Sequence, residues 1–328
     1  PSSYARRRSA DGGVARPIRL PKAASLVAGY SHTCGLTSAG AAYCWGDNST
    51  GALGASTANA TSGTPVAVAG GIAFAMISAG YSHTCGVATD GSAYCWGSNE
   101  SGELGSGVIG QNSSTPALVS GGLTFASISA GGVYTCGVTT SGVGYCWGSN
   151  GYGVLGDGAT TDSPTPVAVA GGLQLASIAA GVYHTCALTV NGAAYCWGQA
   201  GNGQLGTGLT SESSSTPLAV AGGYTFGSIA VGQLSTCAVT SAGAGYCWGS
   251  GSFGALGSGS TVQANAPQPV SGSAVFSSVS AGISFHVCAF DPAAGTIYCW
   301  GYNDSGELGS GSPGGYAATP GLVVVPNG

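Results

Sequence analysis

The sequence predicts an all-β protein: a six-bladed β-propeller with four-stranded blades and one disulfide inside each blade. Three observations predict it. The tripeptide Cys-Trp-Gly recurs six times, its Cys at 44, 95, 146, 196, 247 and 299, a period of 50 to 52 residues. The twelve cysteines fall into six pairs of near-constant spacing: Cys34 with Cys44, Cys85 with Cys95, Cys136 with Cys146, Cys186 with Cys196, Cys237 with Cys247 and Cys288 with Cys299. Turn signals divide each unit into four short apolar stretches, and no helical period runs for a useful length. Self-similarity at this period is the mark of a repeat architecture, and four strands per unit of this length make a propeller blade.

The unit "TPVAVAGGIAFAMISAGYSHTCGVATDGSAYCWGSNESGELGSG" shows the elements in order. "PVAV" begins at a proline, which suits a strand start or an edge. "FAMISAG" follows a Gly-Gly turn. "HTCGVAT" and "SAYCWG" flank Asp90-Gly91, a hairpin signal. In the first repeat, pairing Thr37 with Ala41 around Ser38-Ala39-Gly40 sets Cys34 opposite Cys44, within bridging distance on antiparallel strands. The sixth pair is one residue wider and carries a longer turn, "DPAAG". Such regular pairing points to disulfides and an oxidising compartment. Zinc draws on CxxC-like spacing, which these pairs lack.

The repeat "SHTCGLTSAGAAYCWGDNSTGALG" resembles that of the regulator of chromosome condensation family. Its blades carry a His-Thr, a Gly turn, a Tyr-x-Trp-Gly and an Asn-x-x-Gly-x-Leu-Gly. The resemblance covers about residues 17 to 325 and implies a propeller. The family founder has seven blades, against six repeats here, and paired cysteines replace ordinary strand residues, unlike a nuclear protein. This chain is therefore expected to be a secreted, disulfide-bonded version of bacterial type, and nucleotide exchange on a small GTPase is not carried over.

Charge is divided sharply. Arg6, Arg7, Arg8, Arg16, Arg19 and Lys22 are the six basic residues of the 328, so residues 1–22, with Asp11, carry +5, and the remaining ten carboxylates give the body −10. An arm of one sign on a body of the other points to an acidic partner. The three adjacent arginines lack aromatic neighbours and a basic fold face, so nucleic acid is not expected as a partner. The arm has no amphipathic apolar face, and no run of 18 apolar residues occurs, so membrane insertion is not expected either. The chain begins at Pro1 without methionine, as a processed product would.

Six repeats need six strands of the "TPVAV" type, yet seven occur, at Pro17-Ile18-Arg19-Leu20, in five internal copies, and at the C-terminal "TPGLVVVPNG". Leu322, Val323, Val324 and Val325 have the better β composition and are expected to complete the first blade and close the ring. Residues 319–328 then act as the closing strand, 23–318 as the propeller, and 1–22 as a basic arm whose surplus strand adds to a second copy. The expected partner is the chain itself, in a head-to-tail fibre or layer outside the cell or at its surface; a monomeric secreted adhesin or inhibitor is the alternative.

No catalytic set is legible. His32, His83, His184 and His286 each stand two residues before a blade's first Cys, where Tyr134 and Ser235 sit in the other repeats. They read as hydrogen-bonding groups between blades. The clusters Asn99–Glu103 and Asn303–Glu307 lack the alternation of a calcium loop and read as turns. No cofactor, no metal and no enzymatic activity are expected.

Overall fold

The computed structural model describes residues 23–56, 59–209 and 213–324. They form six four-stranded antiparallel sheets, each made of four strands consecutive in sequence. The blades cover residues 23–67, 74–118, 125–168, 175–219, 226–269 and 278–322 and are numbered 1 to 6. A single 3₁₀ turn, Ser252–Gly254, interrupts the all-β pattern.

The hairpin register is the one that the cysteine spacing predicts. Cys34 faces Cys44 in blade 1, Cys85 faces Cys95 in blade 2, and Cys136 faces Cys146 in blade 3. Cys186 faces Cys196, Cys237 faces Cys247, and Cys288 faces Cys299 in blades 4 to 6. All six pairs are disulfides, with Cα–Cα distances of 4.0 to 4.1 Å. The extra residue of the sixth pair is taken up in the turn, so Cys288 and Cys299 stay opposed like the rest. Each bridge spans the middle two strands of its blade. In blades 1 to 5 both half-cystines, Cys95, Cys196 and Cys247 among them, are buried against the next blade.

Two expectations are corrected. The "PVAV"-type segment is the outer, fourth strand of the preceding blade: Val66 pairs with Cys44, and Ala67 with Tyr43. The C-terminal strand, Tyr316–Leu322, accordingly completes blade 6 and not blade 1, with Leu322 facing Tyr298. Val323 N donates to Ile297 O and Val324 N to Gly309 O, extending the same blade. Val325 and the predicted contact residues Arg6, Arg7, Arg8, Arg16, Pro17, Ile18, Arg19, Leu20 and Lys22 lie outside the described residues.

Consecutive blades pack through one repeated arrangement. The later blade contributes a buried Trp and an inner-strand Phe or Leu; the earlier one contributes its disulfide and the Leu of its Gly-x-Leu-Gly turn. Five such cores exist, one for each consecutive pair of blades. Each turn ends in a glycine at positive φ. At Gly105 (φ 68) a Cβ would lie 2.7 Å from Trp147 Nε1, so both conformation and space demand glycine.

No sixth core joins blade 6 to blade 1 among the described residues, nor are their strands packed as the others are. Leu26 of blade 1 is 63% exposed, whereas Ile77, its equivalent in blade 2, is 4% exposed. Trp45 is half-buried, unlike the five other tryptophans. The wheel has six spokes and one unpacked junction.

Candidate functional site: the junctions, the channel and its mouth

Three of the four histidines hold blades together, as their positions predict; His286 does not. His32 Nε2 lies 2.7 Å from Thr84 Oγ1 in the next blade. His83 meets Thr135 at 2.9 Å and His184 meets Thr236 at 2.7 Å. Each threonine donates its one hydroxyl hydrogen to a backbone carbonyl of the preceding blade: Thr84 to Ala52 O, Thr135 to Glu103 O and Thr236 to Gln204 O. The imidazole must then be the donor through Nε2–H, which leaves Nδ1 bare. Nδ1 of His83 and of His184 is buried without a partner, as this tautomer requires. Burial drives the pKa of His32 and His83 down to about 4 and that of His184 to about 3. The next blade's tryptophan donates to the same carbonyl, as Trp96 does to Ala52 O at 2.9 Å and Trp147 to Glu103 O at 3.0 Å.

Where the repeat departs from histidine, the partner departs as well. Tyr134 Oη donates to His184 O in blade 4, 2.8 Å away. Ser235 is too short to reach across, and position 287 opposite is a buried Val in place of Thr. At the open junction both halves are present and unmatched. Thr33 and Trp45 of blade 1 and His286 of blade 6 make no side-chain hydrogen bond among the described residues.

The acidic turns are self-contained. Asn99 Oδ1 accepts from Leu104 N at 3.1 Å, and buried Glu103 accepts from Ser98 Oγ and Ser101 N. Asn303 Oδ1 accepts from Leu308 N in the same way. Among the described residues, no group of three or more His, Cys, Asp or Glu is placed to hold a metal.

The inner strands line a central channel of about 600 Å³. Its wall is mostly Gly, Ala, Ser, Val and Ile, and its ionisable members are Tyr30 and His286. Among the described residues no carboxylate lines it.

Antiparallel order puts the loops after the first and third strands at one end of the channel, here the upper face. The hairpin turns and the inter-blade connections lie at the other end, and so does Ala23, where the first strand starts. The upper mouth is aromatic. Tyr30, Tyr81, Phe253, Ile283, Phe285 and Tyr302 line a groove of about 310 Å³ between blades 6 and 1. Tyr30 and Tyr81 stack at 4.4 Å, and Phe253 meets Tyr302 at 5.1 Å and Phe285 at 5.8 Å. Sequence reading missed this groove. Its residues come from four repeats, and only the phase of the blades brings them together.

Among the described residues no helix is long and apolar enough to cross a membrane. The mouse "Probable E3 ubiquitin-protein ligase HERC4" is 32% identical over 246 residues, 74% of this chain. The chain spans only 18% of that protein's length. Yeast RCC1 (Prp20), solved bound to Kap60, superimposes with a TM-score of 0.82 at 22% identity, over 93% of this chain and 75% of that one. That likeness concerns fold alone. The ectodomain of the Physcomitrella patens receptor kinase CR4 matches with a TM-score of 0.57 at 25% identity, over 87% of this chain and 63% of that chain. The RCC1-like domain profile matches residues 9–326, nearly the whole chain. With its repeated His-Thr, Trp and Gly-x-Leu-Gly contacts, the protein belongs to the RCC1-like domain family.

Proposed function

We propose that this protein is an extracellular structural subunit that assembles head-to-tail, the N-terminal segment of each copy engaging the next. One observation carries the reading. The six blades take all 24 strands in sequence order from residue 23 to 322, so no blade has a vacant position for the strand-like Pro17–Leu20. A strand-like segment beyond the four strands of every blade would be available to another chain. The charge of residues 1–22, +5, suits a body of −10, and such complementarity supplies steering and register. Six disulfides fit an oxidising exterior, and trypsin-like proteases find no Lys or Arg after Lys22.

Deletion of residues 1–22 tests this. Full-length protein is expected to sediment and scatter light as a polymer, visible as fibres or layers by electron microscopy, and the shortened chain as single particles. Particles of one size in both would leave the alternative, a monomeric secreted binding propeller of adhesin or inhibitor type, which the exposed aromatic groove favours.

A further inference from the structure

The groove between blades 6 and 1 offers what a guanidinium group needs, and we infer that it is the docking site for the arginines of a second copy's N-terminal segment. The inference rests on the head-to-tail reading and names its acceptor.

Polarity is the first support. Of the described carboxylates, six are exposed or half-buried on the upper face: Asp47, Glu100, Asp157, Asp162, Asp304 and Glu307. The lower face has Asp90 exposed and Asp291 buried. Nothing offsets this charge, because residues 23–328 contain no Lys or Arg. The upper histidines, His32, His83 and His184, are buried between blades and uncharged at neutral pH. One end of the molecule is therefore an uncompensated anion.

The groove itself is the second support. Tyr30 is 58% exposed and Phe253 43% exposed, so two ring faces are open to a ligand. Phe253 and Phe285 hold positive φ, 57° and 60°, two of the three such non-glycine residues described. Backbone strain of this kind collects where a side chain must be aimed. Asp304 stands beside the rings, its Oδ2 accepting from Tyr302 Oη at 2.8 Å. That hydrogen bond raises the pKa of the Tyr302 phenol, and Glu307 is near enough to act on it in the same direction. Rings next to carboxylates select arginine, whose planar cation stacks on the one and hydrogen-bonds the other.

For the basic residues nearest the body, connectivity separates a second copy from the chain's own arm. Lys22 is bonded to Ala23 at the lower face, and the six-residue inner strand puts the groove about 20 Å away along the axis. Arg19 is four residues from Ala23, a reach of about 13 Å. A tether this short keeps Arg19 and Lys22 from their own groove, while a copy stacked below would offer its upper face to them. Such a contact is heterologous and repeats without closing.

The test uses full-length chains. Asp304→Asn/Glu307→Gln, and separately Tyr30→Ala/Phe253→Ala, are expected to raise the critical concentration for assembly roughly tenfold or more, the loss of a desolvated cation–π or ionic contact. Six intact disulfides and an unchanged melting curve serve as the check on folding. A chain with Arg6, Arg7, Arg8, Arg16 and Arg19 all changed to Gln keeps a working groove, and the groove variants keep a working arm. Mixed one to one, these are expected to form dimers that grow no further. If the groove variants assemble like wild type while deletion of residues 1–22 abolishes assembly, the arm docks elsewhere, and the groove assignment is wrong with the fibre reading intact. If the mixture stays monomeric, the arm does not act between copies through this groove. If the deletion changes nothing, the head-to-tail reading itself fails.

Discussion

His83 is held by one bond to a hydroxyl that has already given its hydrogen away, so the ring stays neutral and one nitrogen goes unserved. Its folded pKa of about 4 lies below the ordinary 6.5, as does that of His32, and that of His184 falls to about 3. In the unfolded chain these rings bind protons below pH 6.5, while the folded chain refuses them. Stability is therefore constant above pH 6.5 and falls with pH below it, down to about pH 4. The loss is on the order of 3 kcal/mol for each fully buried ring. Denaturant midpoints measured from pH 8 to about 4 are expected to show this decline, and a His83→Gln/His184→Gln chain to show a shallower one. The role of these histidines was legible in the sequence because each occupies the same slot two residues before a cysteine. Their protonation was not, since it depends on a threonine of the next blade that is itself committed to a carbonyl of the histidine's own blade.

A blade is a hairpin with a bridge through its middle and a strand on either side. The bridge was legible because opposed positions on a tight hairpin follow from spacing alone. The same spacing of ten residues sets Cys95, Cys196 and Cys247 against their partners without any long-range information. The phase of the repeat was not legible. A four-strand unit repeated end to end can be divided at any strand, and sequence reading divided it at the longer link. Residues 98–112, between the third and fourth strands of blade 2, form that link, whereas the blades change at the shorter connection, 119–124. The long loop stays within one blade because its turn carries Glu103 O across to Thr135 and Trp147 of the next. The error in phase also misassigned Leu322–Val324 to blade 1. Each bridge closes a short loop, so removing Cys136–Cys146 by double serine substitution is expected to cost up to about 3 kcal/mol in chain entropy, read from denaturant unfolding. Blade 3 has packed neighbours on both sides, so the doubly substituted chain is expected to keep its fold.

For the whole molecule, the count of junctions matters more than the count of blades. Blades 2 to 5 are each packed on two sides, and blades 1 and 6 on one. Stability in such an array is a sum of blade terms and neighbour terms, so the two end blades hold the weakest claim on order. Amide hydrogen exchange of the isolated subunit is expected to be fastest in residues 25–67 and 278–324 and slowest in blades 3 and 4. Uniform protection around the wheel would show that the first and last blades are sealed in solution. Assembly through the groove between them is expected to slow exchange at both ends together. The number of repeats was legible from Cys-Trp-Gly alone. The missing contact was not, because Thr33, Trp45 and His286 fit their repeat and lack only a neighbour.

An unsealed wheel also loosens a constraint on its own ancestry. In a sealed propeller every interblade angle is fixed by the circumference, so gaining or losing a unit disturbs all of them at once. Here a duplicated or deleted module of some fifty residues would alter one terminus and leave each surviving Trp-to-carbonyl contact as it was.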